Sequence, residues 1–88
     1  MADEGYSIGI VVLSTDEAAT TGMIIPWMIK SVGSNGDQDF HLQDGNGHTV
    51  FRARGQAEVY FGNVYKTFTK LTVASSLAAD HWIHIYER

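Results

Sequence analysis

The sequence predicts an all-β fold, a small antiparallel β-sandwich or barrel of about six to seven short strands with at most one or two short helical turns. Three observations lead to this prediction. Apolar residues alternate with polar ones or form short β-branched runs, and no long stretch has the three- and four-residue spacing of an amphipathic helix. Glycine-containing dipeptides that favour tight turns separate these runs. No segment is long and periodic enough to be the helical crossover that a parallel sheet requires.

The strands are predicted from the apolar runs in chain order. They cover residues 6–13, 23–32, 39–43, 48–54, 56–61, 64–73 and 81–87. After the first strand, Ser14 and Glu17 have the spacing of a capping box and Gly22 can end a helix, so a single helical turn is expected there. The segment 74–80 is expected to form a similar turn before the last strand.

The clearest local feature is a hairpin around the tetrapeptide Asp44-Gly45-Asn46-Gly47. Its three overlapping dipeptides each fit a two-residue type I′ or type II′ turn, so three registers stay open. All three give the same division into faces, because a two-residue loop preserves the alternation of side chains. One face is predicted to carry Phe40, Leu42, Thr49 and Phe51, and the other Asp39, His41, Gln43, His48, Val50 and Arg52.

A second turn dipeptide, Gly62-Asn63, predicts another tight hairpin. In that hairpin Tyr60 would lie opposite Tyr65. Aromatic side chains would then occupy both faces of the two strands.

Pro26 limits where its strand can lie in a sheet. It has no backbone N–H to donate, which confines it to an edge strand, to the first residue of a strand or to a bulge. If the strand is an edge, its Trp27 and Met28 would favour association with another chain.

The last strand is bulky on both faces. Ile83 and Ile85 alternate with Trp82, His84 and Tyr86. Such a strand is either sandwiched between two layers or presents one face to a partner. The sequence therefore predicts that this strand is paired within a sheet.

Length and composition predict a single β domain over residues 1–88 with a small core. The absence of cysteine excludes disulfides and thiolate metal sites, so oligomerisation is the expected source of extra stability. A formal net charge of -4 disfavours binding to nucleic acid. No apolar run approaches the roughly 20 residues of a membrane span, and acidic residues stand where a signal peptide would be basic. A soluble protein made in the cytoplasm without a signal peptide is expected.

No enzyme, metal site or cofactor is predicted. His81 and His84 form an H-x-x-H pattern, but residues three apart on a strand point to opposite faces. Ser75 and Ser76 lie near histidines without the surroundings of a nucleophile elbow. The glycines match no phosphate-binding loop.

The excess of large aromatic side chains suggests a function in binding. The first hypothesis is a non-catalytic structural or assembly module that self-associates through strand faces and edges, as a homo-oligomer or with other protein subunits. Its candidate interface residues are Trp27, Met28, Trp82, His84 and Tyr86. In being short, free of cysteine, acidic and rich in β-structure, the chain is similar to small virion or tail components of bacterial viruses. That resemblance implies incorporation into a virion or another multi-subunit assembly.

The alternative hypothesis is a monomeric recognition module, such as a small lectin or a protein inhibitor. It would bind its ligand through turns and exposed aromatic side chains. Its candidate residues are Asp37, Asp39, Asp44, Asn46, Tyr60, Asn63 and Tyr65.

Overall fold

The computed structural model describes residues 9–88, in which the chain forms seven strands and no helix. The strands are β1 (Ile10–Leu13), β2 (Pro26–Val32), β3 (Asp39–Asp44), β4 (Thr49–Arg54), β5 (Glu58–Tyr60), β6 (Leu71–Val73) and β7 (Trp82–Glu87). Residues 6–8 of the first predicted strand lie outside the described part.

The strands form two antiparallel sheets, with the orders β1-β7-β2-β5 and β4-β3-β6. Each sheet contributes alternate apolar side chains to one shared core. The core comprises Leu13, Ile24, Ile29, Phe40, Leu42, Phe51, Phe68, Leu71, Leu77, Ile83 and Ile85. The predicted all-β fold with antiparallel sheets is confirmed.

Strand β7 lies in the interior of the four-stranded sheet, between β1 and β2. Ile83 and Ile85 are fully buried in the core, while Trp82, His84 and Tyr86 alternate with them on the opposite face. Burial of each isoleucine contributes about 1.5–3 kcal/mol to the free energy of unfolding. The prediction that this segment is a paired strand is confirmed.

Pro26 is the first residue of β2, and the register with β7 shifts between Pro26 and Met28. Two of the positions expected for proline, a strand start and a bulge, are thus both realised. The third alternative, an edge, is not realised, because β2 lies between β7 and β5. Pro26 lacks its N–H at the point where the β2–β7 pairing is already irregular. The rest of β2 therefore keeps the N–H groups that it donates to β7 and β5.

The β3–β4 hairpin has a longer loop than the two residues predicted. Asp44 N–H donates to the His48 carbonyl at 2.9 Å and Gly47 N–H donates to the Asp44 carbonyl at 3.1 Å, which leaves three residues in the loop. Gly47 has a φ of 83°, in the left-handed region that glycine adopts without strain. This is a type I turn followed by a glycine bulge.

The hairpin ladder contains an extra residue, and this changes two predicted orientations. Leu42 pairs with Phe51, but the next pair is Gln43 with Thr49, so Val50 has no separate partner on β3. The prediction places Thr49 on the face of Phe40, Leu42 and Phe51, but Thr49 is exposed and its hydroxyl lies 2.7 Å from His41 Nε2. The prediction places Val50 on the opposite face, with His41 and Arg52, but Val50 packs against the core. The predicted faces of Phe40, Leu42 and Phe51 are correct.

The predicted strand 64–73 and its hairpin are mostly wrong. A turn does form at Gly62-Asn63, closed by a 2.9 Å hydrogen bond from Val64 N–H to the Phe61 carbonyl. However, β5 pairs with β2 in one sheet and β6 pairs with β3 in the other. The chain therefore crosses between sheets after the turn, and the only strand in this region is β6. Tyr60 and Tyr65 do not form the expected pair.

The expected helical turn after β1 is absent, although its cap is present. Ser14 Oγ accepts hydrogen bonds from the N–H groups of Asp16 and Glu17 at 3.3 and 3.2 Å. The chain then extends instead of coiling, and Thr20 N–H donates to the Leu71 carbonyl at 2.9 Å. Pairing with β6 has replaced helical hydrogen bonds here.

His81 fixes the approach to β7 through two backbone hydrogen bonds. Its Nδ1 lies 2.8 Å from the Ala79 carbonyl, to which it donates, and its Nε2 accepts from Asn35 N–H at 3.1 Å. The buried ring lies directly against Gly33, so that a Cβ at this position would overlap the imidazole. Gly33 also has a φ of 151°, which L-residues rarely adopt.

The Gly33→Ala variant is expected to be less stable than the wild type by about 2 kcal/mol or more, because the methyl group collides with a ring held at both nitrogens. Urea denaturation measures the difference. Gly36→Ala is the matched control, since no atom lies within 4 Å of a Cβ there. Equal stability of the two variants would contradict this account of the contact.

Candidate interaction face

The four-stranded sheet has one face against the core and one that no described strand covers. We call the second the outer face. Cross-strand pairs define it, because directly opposed residues point to the same side of a sheet. Its residues are Ile10 and Val12 of β1, Trp27, Met28, Lys30 and Val32 of β2, Glu58 and Tyr60 of β5, and Trp82, His84 and Tyr86 of β7.

All five candidate interface residues lie on the outer face. Trp27 joins it at the bulge near the start of β2, where its ring centroid lies 5.6 Å from that of Tyr86 and 6.5 Å from that of Tyr60. Trp27, Trp82, His84 and Tyr86 are half-buried. Met28 is only 7% exposed, because its cross-strand neighbours are Tyr60 and Tyr86. Met28 therefore supports the aromatic rings and contributes little surface of its own.

Two opposite charges lie beside the aromatic residues. Lys30 and Glu58 are directly opposed on β2 and β5. Lys30 Nζ lies 5.7 Å from the ring centroid of Tyr86, within cation–π distance. Glu58 Oε1 accepts a 2.8 Å hydrogen bond from the Tyr60 hydroxyl, and this bond raises the pKa of Tyr60. The face thus combines an apolar aromatic surface with one cation and one anion at fixed positions.

His84 is the titratable group nearest the middle of the outer face. Its cross-strand neighbours are Val12 and Lys30, and the Tyr86 ring lies 6.4 Å away, centroid to centroid. Burial lowers the pKa of His84, and the positive charge of Lys30 lowers it further. Both effects favour the neutral imidazole, so the centre of the face carries no second cation at neutral pH.

The aspartates of the alternative binding set serve the hairpin itself. Asp39 forms a bidentate ion pair with Arg52, with oxygen–nitrogen distances of 3.0 and 3.2 Å, and the pKa of Asp39 is lowered by that hydrogen bonding. Asp44 Oδ1 accepts the N–H groups of Asn46 and His48, both at 2.9 Å, which lowers its pKa. Asp37 precedes the first residue of β3, whereas Asp44 is the last residue of that strand, so the two lie near opposite ends of it.

The remaining members of that set lie on other elements. Tyr60 belongs to the outer face, whereas Asn63 and Tyr65 follow in the crossing segment, where the Tyr65 ring centroid is 4.1 Å from the Arg88 guanidinium carbon. The seven residues do not form one contiguous site. One of them, Asp44, borders a cleft of about 420 Å³ between the β3–β4 hairpin and residues 61–68, which is also lined by His48 and Lys66.

The histidines are dispersed. The His81 ring is buried before β7 and the His84 ring lies on the outer face, so the H-x-x-H residues do not converge. His41 contacts Thr49, and His48 Nδ1 lies 3.7 Å from Asp44 Oδ2. Within residues 9–88, no three histidine, aspartate or glutamate side chains lie close enough to hold a metal ion.

Sequence reasoning missed five members of the outer face: Ile10, Val12, Lys30, Val32 and Glu58. Alternation along β2 already places Lys30 and Val32 on the side of Met28, whereas the residues that β1 and β5 add depend on the pairing of these strands with strands distant in sequence. Strand β5 has only three residues, and its sequence does not indicate which strand it pairs with.

Comparison with protein-family models, with curated proteins and with solved structures found no match to this chain. The class of protein is therefore defined by its architecture, an all-β fold of two antiparallel sheets that share one core. Residues 9–88 contain no helix of the length and apolarity needed to cross a membrane.

The lowered pKa of His84 predicts a pH dependence of stability. In the unfolded chain the imidazole titrates near its ordinary pKa of 6.5, so below that pH the unfolded state binds the proton that the folded state resists. The free energy of unfolding should therefore decrease as the pH falls through 6.5 and level off below the folded pKa. We expect His84→Gln to weaken this dependence.

Urea denaturation at pH 7.5 and pH 5.5 tests this expectation for the wild type and His84→Gln. The other three histidines are present in both proteins, so the difference between the two pH responses isolates His84. Identical responses would show that His84 titrates alike in the folded and unfolded states.

Proposed function

We propose that this protein is a non-catalytic assembly module whose outer face binds the outer face of a second copy of the chain. The observation that carries the proposal is the gathering of Trp27, Trp82, His84 and Tyr86 on the face that lies away from the core. Aromatic side chains of this kind are enriched in protein–protein interfaces, where they provide large apolar contacts.

The charges on the outer face favour a second copy as the partner. A two-fold axis that lies in the interface, parallel to β2 and β5 and midway between them, would bring Lys30 of each copy over Glu58 of the other, because the two residues are directly opposed on these strands. The face is therefore complementary to itself in charge as well as in apolar surface. Neutral His84 adds no like-charge repulsion near such an axis.

The size of the face is consistent with one component of an assembly. Four strands about 4.8 Å apart and up to about six residues long project an area on the order of 400 Å². A stable two-chain interface typically buries about 800 Å² on each partner. A single outer face is thus about half of this size, so further contacts would be needed to stabilise the assembly. We propose a virion or another multi-subunit particle as that assembly, which agrees with the short, acidic, cysteine-free composition.

The second candidate function is the monomeric recognition module. The cleft of about 420 Å³ beside Asp44 favours it, because Lys66 and His48 stand at its margin and Val64 and Phe68 supply apolar lining. It would apply to a protein that stays monomeric and binds a small ligand or another protein there.

The native mass in solution is the first test, measured by light scattering behind a sizing column at neutral pH. We expect a concentration-dependent oligomer for the wild type. A monomer at millimolar concentration would contradict the assembly proposal and favour the recognition module.

Charge reversal at the proposed contact tests its geometry. Lys30→Glu and Glu58→Lys should each weaken association at least about tenfold, because like charges would then meet across the two-fold axis. The double variant should recover most of the loss, because it restores opposite charges. Arg52→Glu is the matched control, a reversal on the other sheet that should leave association unchanged. Equal effects of all the reversals would indicate a response to net charge alone.

A further inference from the structure

The edge of β1 is the least protected strand edge in the described residues. We infer that it pairs, antiparallel and in register about Val11, with β1 of a second copy. This inference rests on the proposed self-association and specifies a second contact, distinct from the outer face.

The other three sheet edges carry features that discourage pairing. At β6, Thr20 N–H donates to the Leu71 carbonyl and Val73 N–H donates to the Ala18 carbonyl, so the chain itself covers that edge. At β4, Arg52 and Arg54 place cations along the strand. The β5 edge has only three residues and carries Glu58.

Within residues 9–88, the β1 edge has none of these protections. Its sequence, IVVL, is uncharged, without proline and mostly β-branched, the composition that favours added strands. Ile10 and Val12 are 51% and 46% exposed. Among residues 9–88, β7 is the only strand that pairs with β1.

The hydrogen-bond pattern shows which groups are free to pair. Glu87 N–H donates to the Gly9 carbonyl at 2.8 Å, so Gly9 and Glu87 are a hydrogen-bonded pair. Bonded and non-bonded pairs alternate along an antiparallel ladder, so Val11 and Leu13 also face β7 with their backbone groups. Ile10 and Val12 direct their N–H and C=O groups to the open edge.

A two-fold axis at Val11 gives each outward N–H and C=O group of Ile10 and Val12 a hydrogen-bond partner. Ile10 of each copy then pairs with Val12 of the other, which gives four backbone hydrogen bonds, and the two Val11 residues form the central non-bonded pair. Axes at Ile10 or Val12 leave some of the outward groups of β1 without a partner. Because β1 pairs with an identical strand in this register, the expected partner is a second copy of the chain.

A cleft borders the open edge of β1. A cleft of about 390 Å³ lies beside the strand, between it and the segment that includes Ala19, Thr20 and Ile24. The joined sheets would have eight strands and one continuous outer face of about twice the original area. Such a face approaches the size typical of a stable interface, on the order of 800 Å².

The test compares Val12→Pro with Val12→Thr by light scattering across a concentration series. Proline removes the outward N–H and leaves the β1–β7 ladder intact, whereas threonine keeps the N–H and a similar shape. Both variants change the same side chain on the outer face, so pairing through β1 predicts that Val12→Pro associates at least tenfold more weakly than Val12→Thr. If both variants assemble like an oligomeric wild type, edge pairing is wrong and the outer-face proposal stands. A monomeric wild type would instead contradict both the edge pairing and the outer-face proposal.

A cysteine cross-link provides a second readout that does not depend on the proline variant folding. The chain has no cysteine, so Val11→Cys introduces a single thiol at the proposed two-fold axis. Opposed cysteines in a non-bonded antiparallel pair are close enough to form a disulfide. Oxidation should give a covalent dimer, whereas Asn46→Cys, on an exposed residue in the β3–β4 loop of the other sheet, should give little. No difference between the two variants would overturn the inferred register.

Hydrogen exchange adds a further check. Slow exchange of the Ile10 and Val12 amides that becomes fast on dilution to monomer would support pairing between copies. Slow exchange that persists in a monomer would show that another part of the same chain covers the edge, and the inference would be wrong.

Discussion

The pairing of β7 on both of its sides is the constraint on which the rest of the molecule depends. Its backbone bonds to β1 on one side and to β2 on the other, and its two isoleucines supply the middle of the core. Neither β1 nor β2 has another neighbour that could connect them. Without β7 the four-stranded sheet would separate into an isolated strand and a pair, and two strands alone are at best marginally stable in water.

The same alternation that buries the isoleucines determines the chemistry of the exposed side. Each residue that β7 contributes to the core is followed by one that it contributes to the outer face. Trp82, His84 and Tyr86 are thereby held at fixed spacings on a strand whose backbone is hydrogen-bonded on both sides. A binding surface built on an interior strand is preorganised, so little conformational entropy is lost when a partner binds.

Much of the fold could be predicted from the sequence, because side-chain alternation along a strand is a local property. The apolar faces of β3 and β7 follow directly from it. The errors arise where the structure depends on contacts between segments that are distant in sequence. Pro26 permits an edge, a strand start or a bulge, and only the presence of β5 beyond β2 excludes the edge. Thr49 and Val50 exchange sides because of one extra residue in the ladder, which the turn dipeptides do not reveal. The candidate face was found on β7 and at the start of β2. It was missed further along β2, at Lys30 and Val32, and where it depends on the pairing of β1 and β5.

The position of β1 beside β7 also bears on how fast the molecule folds. Residues 10–13 pair with residues 83–86, so this contact joins segments near opposite ends of the described chain. Closing so long a loop costs entropy before any of its hydrogen bonds or buried area compensates for it, and folds dominated by such pairings typically require milliseconds to seconds. During that interval the apolar strands are unpaired, and the uncharged IVVL segment is then exposed on both of its edges. The rate at which β7 docks would therefore set how long the chain is vulnerable to non-native association.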